Sequence, residues 1–278
     1  MPKQISDQSI LLTRREAAGG ILAGLVTVGL LNPTGVFAAD PRIATATREL
    51  EGSHPLGAGL KMARASREAL GEIKDYAADF YKQEVVGREV ISQQMQIKIR
   101  EEPFSVYIRF VKPHAGREVI YVEGQNDGNL LVHLTGLTAL AGTLQLKPDS
   151  SKVLEENRYP FTMAGMRNLV ETLVEQWESE LLLKGVSVRM YPNAKVGSTE
   201  CRVFESSYPA PQKGVKFHMT RLYIDKSNGL PARVEQFGFP TTTGAAAPII
   251  EQYTFLDVKT NVGLSDIDFD EKNSKYDF

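Results

Sequence analysis

One cysteine, Cys201, stands in 278 residues. No internal disulfide can form, so a fold sent to an oxidising compartment must be held by its core. Histidine is nearly as scarce: His54, His114, His133 and His218 are the four. No two of them have the helical spacing of a metal motif, and with Cys201 they form no zinc-ligand pattern. No Gly-x-Ser-x-Gly elbow and no Ser-x-x-Lys pair occurs, which removes the local signatures of several hydrolase classes. An excess of one charge is missing as well. The 32 Lys and Arg against 34 Asp and Glu leave a formal net charge of −2, without the basic field that nucleic-acid binding uses. With 42% hydrophobic and 24% charged residues, the composition is that of an ordinary globular chain.

What is present begins with an address. Thr13-Arg14-Arg15-Glu16 precedes the uncharged residues 17–31, and Val36-Phe37-Ala38-Ala39-Asp40 follows. A charged start, a weakly apolar centre and small residues three and one before a cleavage point predict a signal peptide over residues 1–38. The adjacent arginines point to twin-arginine export. Because Glu16-Ala17-Ala18 lacks a bulky apolar pair, general secretion stays the alternative route. An uncleaved anchor is a third option, although the apolar run is short and glycine-rich for a membrane span. The expected location is periplasmic or secreted. Residues 39–59 read as a lead-in segment and residues 60–278 as one domain.

In residues 90–134 apolar residues alternate. Met95, Ile97 and Ile99 share one side of a strand, with Lys98 and Arg100 on the other; residues 104–110, 118–122 and 130–134 repeat the pattern. Period two means a sheet with one dry face, and short Asp-Gly and Asn-Gly turns mean antiparallel neighbours. Further strands are expected at residues 78–84, 144–146, 186–191, 202–206, 216–225, 233–239 and 250–258, giving nine to eleven. Two stretches have helical periodicity instead. From Leu60 the apolar positions are Met62, Ala63, Ser66, Ala69, Leu70 and Ile73. The second helix carries Met166, Leu169, Val170, Leu173, Val174, Trp177 and Leu181, with Gly185 as its stop. The fold class expected is α+β: a curved antiparallel half-barrel sheet with two main helices over its concave face.

Several smaller patterns are tempting. Gly57-Ala58-Gly59 lacks the strand and the third glycine of a phosphate loop. Asp266, Asp268 and Asp270 alternate like calcium ligands, but Glu271 stands where the loop needs glycine. Glu171, Glu175 and Glu178 read as the wet side of the second helix. His133 and His218 read as hydrogen-bonded sheet residues, and Cys201 as a small buried apolar residue.

The element order resembles a known group. A signal peptide, a helix leading into Tyr76-Ala77-Ala78-Asp79-Phe80, strands with Pro103-Phe104-Ser105-Val106-Tyr107-Ile108 and Arg109-Phe110-Val111-Lys112-Pro113, and a closing segment at 255–269 look like the lipoprotein-carrier superfamily. That superfamily includes the LolA and LolB carriers and LppX-type proteins. More narrowly, residues 103–107, Glu118-Val119-Ile120-Tyr121-Val122-Glu123-Gly124 and Arg158-Tyr159-Pro160 resemble the bacterial envelope family called domain of unknown function 1571. The resemblance implies a half-open barrel plugged by helices, an apolar cavity between them, no cofactor and no catalysis.

The resulting expectation is a non-enzymatic envelope protein that binds a lipid acyl chain or a lipidated protein. The candidate lining is Met95, Ile97, Ile99, Val106, Ile108, Leu169, Leu173 and Trp177, with Met62, Met163 and Met166 as adaptable neighbours. Lys98, Arg100, Arg109, Lys112 and Arg117 are candidate contacts for anionic head groups at a membrane surface or for an acidic partner. No metal and no nucleic acid is expected. An envelope scaffold of the same fold without a ligand is the alternative, and a hydrolase the third reading.

Overall fold

Alternation in the sequence becomes pairing in space. A computed structural model describes residues 52–136, 142–242 and 244–278; the leader expected over residues 1–38 lies outside the described residues. The first helix, α1, spans Gly57–Gly71. Six strands follow: β1 (Asp75–Val86), β2 (Glu89–Arg100), β3 (Ser105–Lys112), β4 (Glu118–Val122), β5 (Leu130–His133) and β6 (Leu144–Leu146). A four-residue helix α2 (Ser151–Leu154) and the helix α3 (Met166–Glu180) come next. Strands β7 (Ser187–Val196), β8 (Thr199–Ser207), β9 (Met219–Asp225), β10 (Pro231–Phe237) and β11 (Ile249–Thr260) complete the sheet.

All eleven strands form one curved, open, antiparallel sheet in the order β6-β5-β4-β3-β2-β1-β11-β10-β9-β8-β7. Each half is a run of strands paired with their neighbours in sequence. The halves meet where the first strand pairs with the last, from Tyr76 opposite Thr260 to Glu84 opposite Glu251. The sheet is therefore closed by its least local contact, and its centre depends on β1 and β11 finding each other.

The concave face is apolar, and α1 and α3 lie over it. Tyr76, Met95, Ile97, Ile99, Val106, Phe204, Leu222 and Phe255 join Leu60, Ala63, Val170, Leu173 and Trp177 in a single core. The two helices are tied across their outer sides by Arg64 to Glu178 at 2.8 Å and by Arg67 to Glu171 at 3.5 Å. Glu171 and Glu178 are thus more than a solvated edge.

Two glycines let this roof sit close. Gly165 adopts a φ of 102°, and a Cβ there would lie 3.1 Å from both Ile99 and the Tyr76 hydroxyl. That hydroxyl accepts the first free N–H of α3, from Met166, at 2.9 Å, which anchors the helix start to β1. Gly59 lies inside α1, not in a loop before it, since the helix starts three residues earlier than its apolar periodicity indicated. A Cβ at Gly59 would be 2.3 Å from the Phe204 ring. The Gly57-Ala58-Gly59 pattern is a close-packing device.

The convex face is covered too, by the chain's end. Tyr276 stacks on Tyr107 with ring centres 4.0 Å apart, and Phe269 packs with Ile120, Val122 and Leu131. Asp266 takes Arg100 and Asp268 takes Lys98, each at 2.7 Å. Asp268 also closes a capping box with Ser265. Two of the three alternating aspartates are spent on cations and Asp270 accepts the Lys272 backbone N–H, and among the described residues no three metal-donor side chains cluster.

One other expectation changes here. His133 has a buried Nδ1 with no hydrogen-bond partner and lies against Phe278, whereas His218 does bond, Nδ1 to the Tyr208 carbonyl at 2.7 Å. The short helix α2 has no signal in the sequence: four residues are less than the two turns that periodicity needs. Cys201 is fully buried with Val196 and Ala232.

A methyl added in a helix ordinarily gains up to about 1 kcal/mol over glycine. At Gly59 the Phe204 ring reverses the sign, so Gly59→Ala is expected to lose about 1–3 kcal/mol through overpacking. Chemical denaturation checks this, and in a Phe204→Leu background the loss should shrink or vanish.

Candidate functional site

Under the roof two cavities remain. The larger, about 200 Å³, lies over β1–β6 and is walled by Met95, Ile108, Phe110, Val119, Leu130, Val132, Leu144 and Phe161. The smaller, about 100 Å³, lies between α3 and β10–β11, against Met163, Leu169, Leu173, Val234, Tyr253 and Phe255. Phe80, Glu84 and Tyr159 border both. They form the partition between two neighbouring spaces.

The eight expected lining residues divide evenly. Met95 and Ile108 face the larger cavity, and Leu169 and Leu173 the smaller. Ile97, Ile99, Val106 and Trp177 border neither. Each is packed in the core, and Trp177 donates its Nε1–H to Ser206 at 3.2 Å while meeting Phe204 edge-on. Of the flexible methionines, Met163 borders the smaller cavity and Met166 is fully buried.

Across both cavities lies the segment between β6 and α3, residues 147–165. It contributes Val153, Glu156, Tyr159, Pro160 and Phe161 to one wall and Met163 to the other. What pins it down is charge. Arg158 donates its backbone N–H to Glu84 at 2.9 Å, its Nε–H to Glu251 at 2.7 Å and an Nη–H to the Val85 carbonyl at 2.7 Å. Tyr159 donates to Glu251 at 2.9 Å, and Tyr253 donates to Glu84 at 2.5 Å. Lys82 reaches the Glu156 carbonyl at 2.9 Å and lies 3.5 Å from Glu84. Arg117 holds the Glu156 carboxylate with two bonds, 2.6 and 3.0 Å, and Gln93 adds a third at 2.9 Å.

Three of these charged groups, Lys82, Glu84 and Glu251, are each under a tenth exposed. Burial pushes the Glu251 carboxyl up to about 7, against the pull of Arg158 and Tyr159, and the nearby Glu84 pushes the same way. Burial lowers the Lys82 ammonium, and Glu84 opposes it. Glu156 goes the other way: the Arg117 bonds hold it below the usual carboxylate range. The latch therefore has one carboxyl poised near neutrality.

Sequence reasoning passed over this latch, yet a signal was there. Lys82 and Glu84 continue the strand positions of Tyr76, Ala78 and Phe80, and Glu251 precedes Tyr253 and Phe255 at the same parity. Charges on the dry side of an alternating strand mark a buried polar site.

The five expected head-group cations do not share a face. Lys98, Arg100 and Arg109 lie on the convex side, paired with Asp268, Asp266 and Asp277 of the C-terminal segment. Arg109 also pairs with the fully buried Glu118 at 2.9 Å. Arg117 is on the concave side, bordering the larger cavity and lying over the Phe110 ring at 3.9 Å. Lys112 is exposed at the end of β3.

Residues 73–278 match the family model described as "Protein of unknown function (DUF1571)". No curated protein matches the chain. Among solved structures it is similar to the lipoprotein LppX of Mycobacterium tuberculosis, at 15% identity, covering 75% of this chain and 98% of that one with a TM-score of 0.44. A putative outer membrane lipoprotein-sorting protein domain from Vibrio parahaemolyticus gives 13% identity, 76% and 95% coverage and a TM-score of 0.36. A LolA superfamily protein from Nitrosomonas europaea gives 10%, 76%, 96% and 0.35.

Glu251 binds its proton near pH 7 in the folded chain and near 4.5 when unfolded. The folded state holds more protons between these values, so this contribution is complete below pH 4.5 and lost as pH rises through 7. At about 1.4 kcal/mol per pH unit, wild type is expected to lose roughly 3 kcal/mol relative to Glu251→Gln on going from acid to mildly alkaline buffer. Paired urea titrations across that range check it; parallel pH profiles contradict it.

Proposed function

The chain belongs to the DUF1571 family, and on that premise we propose that it is a non-enzymatic envelope protein that holds a lipid acyl chain, free or attached to a protein, between sheet and helices. One observation carries the reading: an apolar space under a segment that buried charges, not apolar packing alone, hold shut. An engineered cavity of about 150 Å³ takes up benzene. The larger cavity, at about 200 Å³, admits a short length of alkyl chain and no more. A whole chain requires the two spaces to join through Phe80 and Tyr159 as the segment at 147–165 lifts. Met95 and Met163, one in each cavity, supply unbranched side chains that can repack around such a guest.

Of the expected lining, this reading keeps Met95, Ile108, Leu169 and Leu173 as first contacts. Ile97, Ile99, Val106 and Trp177 serve as the rigid floor and roof behind them. Head-group contact falls to Lys112, while Lys98, Arg100 and Arg109 are engaged by the C-terminal segment and Arg117 by Glu156. The buried carboxylates are held by Arg158, Arg117, Tyr159 and Tyr253, and this reading gives them the task of pinning the segment rather than transferring protons. The leader pattern of residues 1–38 supports a periplasmic place of action.

The small volume of both cavities favours a second reading, an envelope scaffold of the same fold without a ligand. Native mass spectrometry of the protein isolated from its own envelope separates the two. The carrier reading expects a bound lipid mass that Met95→Trp and Ile108→Trp, which fill the larger cavity, largely abolish while cooperative unfolding is retained. Wild-type protein that carries no lipid, and extracts none from phospholipid vesicles, leaves the scaffold.

A further inference from the structure

A third opening between roof and sheet shares no lining residue with the two cavities. It is a groove of about 450 Å³ between α1 and the end of the sheet formed by β7–β9. Met62 and Ala65 of α1 wall it on one side, and Met190 and Ile224 on the other. Its volume falls within the range of small-molecule sites, about 300–1,000 Å³.

Three features set this groove apart from an idle crease. First, its charge lies at the rim. Lys61, Arg202 and Lys226 border it, and the single acid there, Asp225, turns its carboxylate onto Ser227 of its own turn at 2.7–2.8 Å. Second, two of the cations are unspent. Lys226 donates to Asn193 at 2.9 Å, but among the described residues neither Lys61 nor Arg202 makes an ion pair or a side-chain hydrogen bond. Elsewhere on this molecule arginines are commonly engaged: Arg64, Arg100, Arg109, Arg117, Arg158, Arg167, Arg221 and Arg233 all meet carboxylates. Third, Ser66 borders the groove from the α1 side, is 1% exposed and has a hydroxyl with no hydrogen-bond partner. A buried hydroxyl left unpaired is costly. Met190, about half exposed on the edge strand β7, is an apolar side chain left over water at the same place.

We propose that this groove binds a single-chain amphiphile with an anionic head, specifically a long-chain carboxylate. The alkyl part lies between Met62, Met190 and Ile224, and the head group meets Arg202 and Lys61. Apolar walls with cations confined to the rim fit a molecule that is itself apolar with charge at one end. A free inorganic anion would use only the rim, and an uncharged amphiphile only the walls.

Methionine-methyl NMR of the full chain reads the site directly, because Met62 and Met190 report the groove while Met95 and Met163 report the cavities. Titration with sodium dodecanoate below its micelle concentration is expected to shift Met62 and Met190 together and saturably. Arg202→Gln should weaken that response about tenfold, the loss expected for one charge-assisted contact, and adding Lys61→Gln should weaken it further. Dodecyl maltoside should bind correspondingly worse, and inorganic phosphate should shift neither methyl. Shifts confined to Met95 and Met163 overturn the groove while leaving the cavity reading standing. Equal response to the maltoside, a shift of exposed Met190 without Met62, or a response that tracks self-association of the chain each overturns it as well.

Discussion

Two carboxylates stand opposite each other at the middle of the sheet, Glu84 on β1 and Glu251 on β11. Like charges facing across strands repel, and under the roof they are also stripped of water. Arg158 resolves both problems by giving its backbone N–H to one and its guanidinium to the other. The segment that carries Arg158 is thereby drawn across the concave face, and that placement sets the size of the two cavities. The pair also sits on the strand junction that joins the sheet's halves. Removing Arg158 would leave these two buried carboxylates without their compensating charge, which is far worse than never having had them.

The need for such a segment follows from dimensions. Eleven strands about 4.8 Å apart span roughly 48 Å, while each 15-residue helix is about 22 Å long and about 10 Å across. Two helices cannot cover that surface. A second sheet would have closed it, as in a sandwich, but every strand among the described residues belongs to the one sheet. What the two long helices leave open is covered by residues 147–165 on one flank and left as a rimmed groove on the other. The convex face meets the same demand differently: the C-terminal segment lies over it with stacked aromatics and three aspartates matched to Lys98, Arg100 and Arg109.

Much of the architecture was legible because it is written in short periods. The strands at 118–122 and 144–146 have the bounds the alternation gives, and Asn228-Gly229 marks the hairpin between β9 and β10. The helices were legible from their apolar stripe. Half of the candidate lining was legible too, since the residues were taken from one face of β2, β3 and α3. Which members of that face meet space and which meet neighbours was not, because periodicity gives a side, not a depth. Ile99 and Ile108 read alike in the sequence, but Ile99 is packed beneath Gly165 and Ile108 borders the larger cavity.

By itself, the chain's order of residues determined one-sided strands and two amphipathic helices, because each depends on neighbours a few positions apart, and its single cysteine excluded an internal disulfide. Tertiary structure alone decided that Lys82, Glu84, Glu156, Arg158 and Glu251 form one latch, that the aspartates at 266 and 268 serve cations some 170 residues earlier, and that Gly59 exists for Phe204. Those are meetings between distant segments. Their energies depend on burial and on distances of about 3 Å, and neither is defined until β1 has paired with β11.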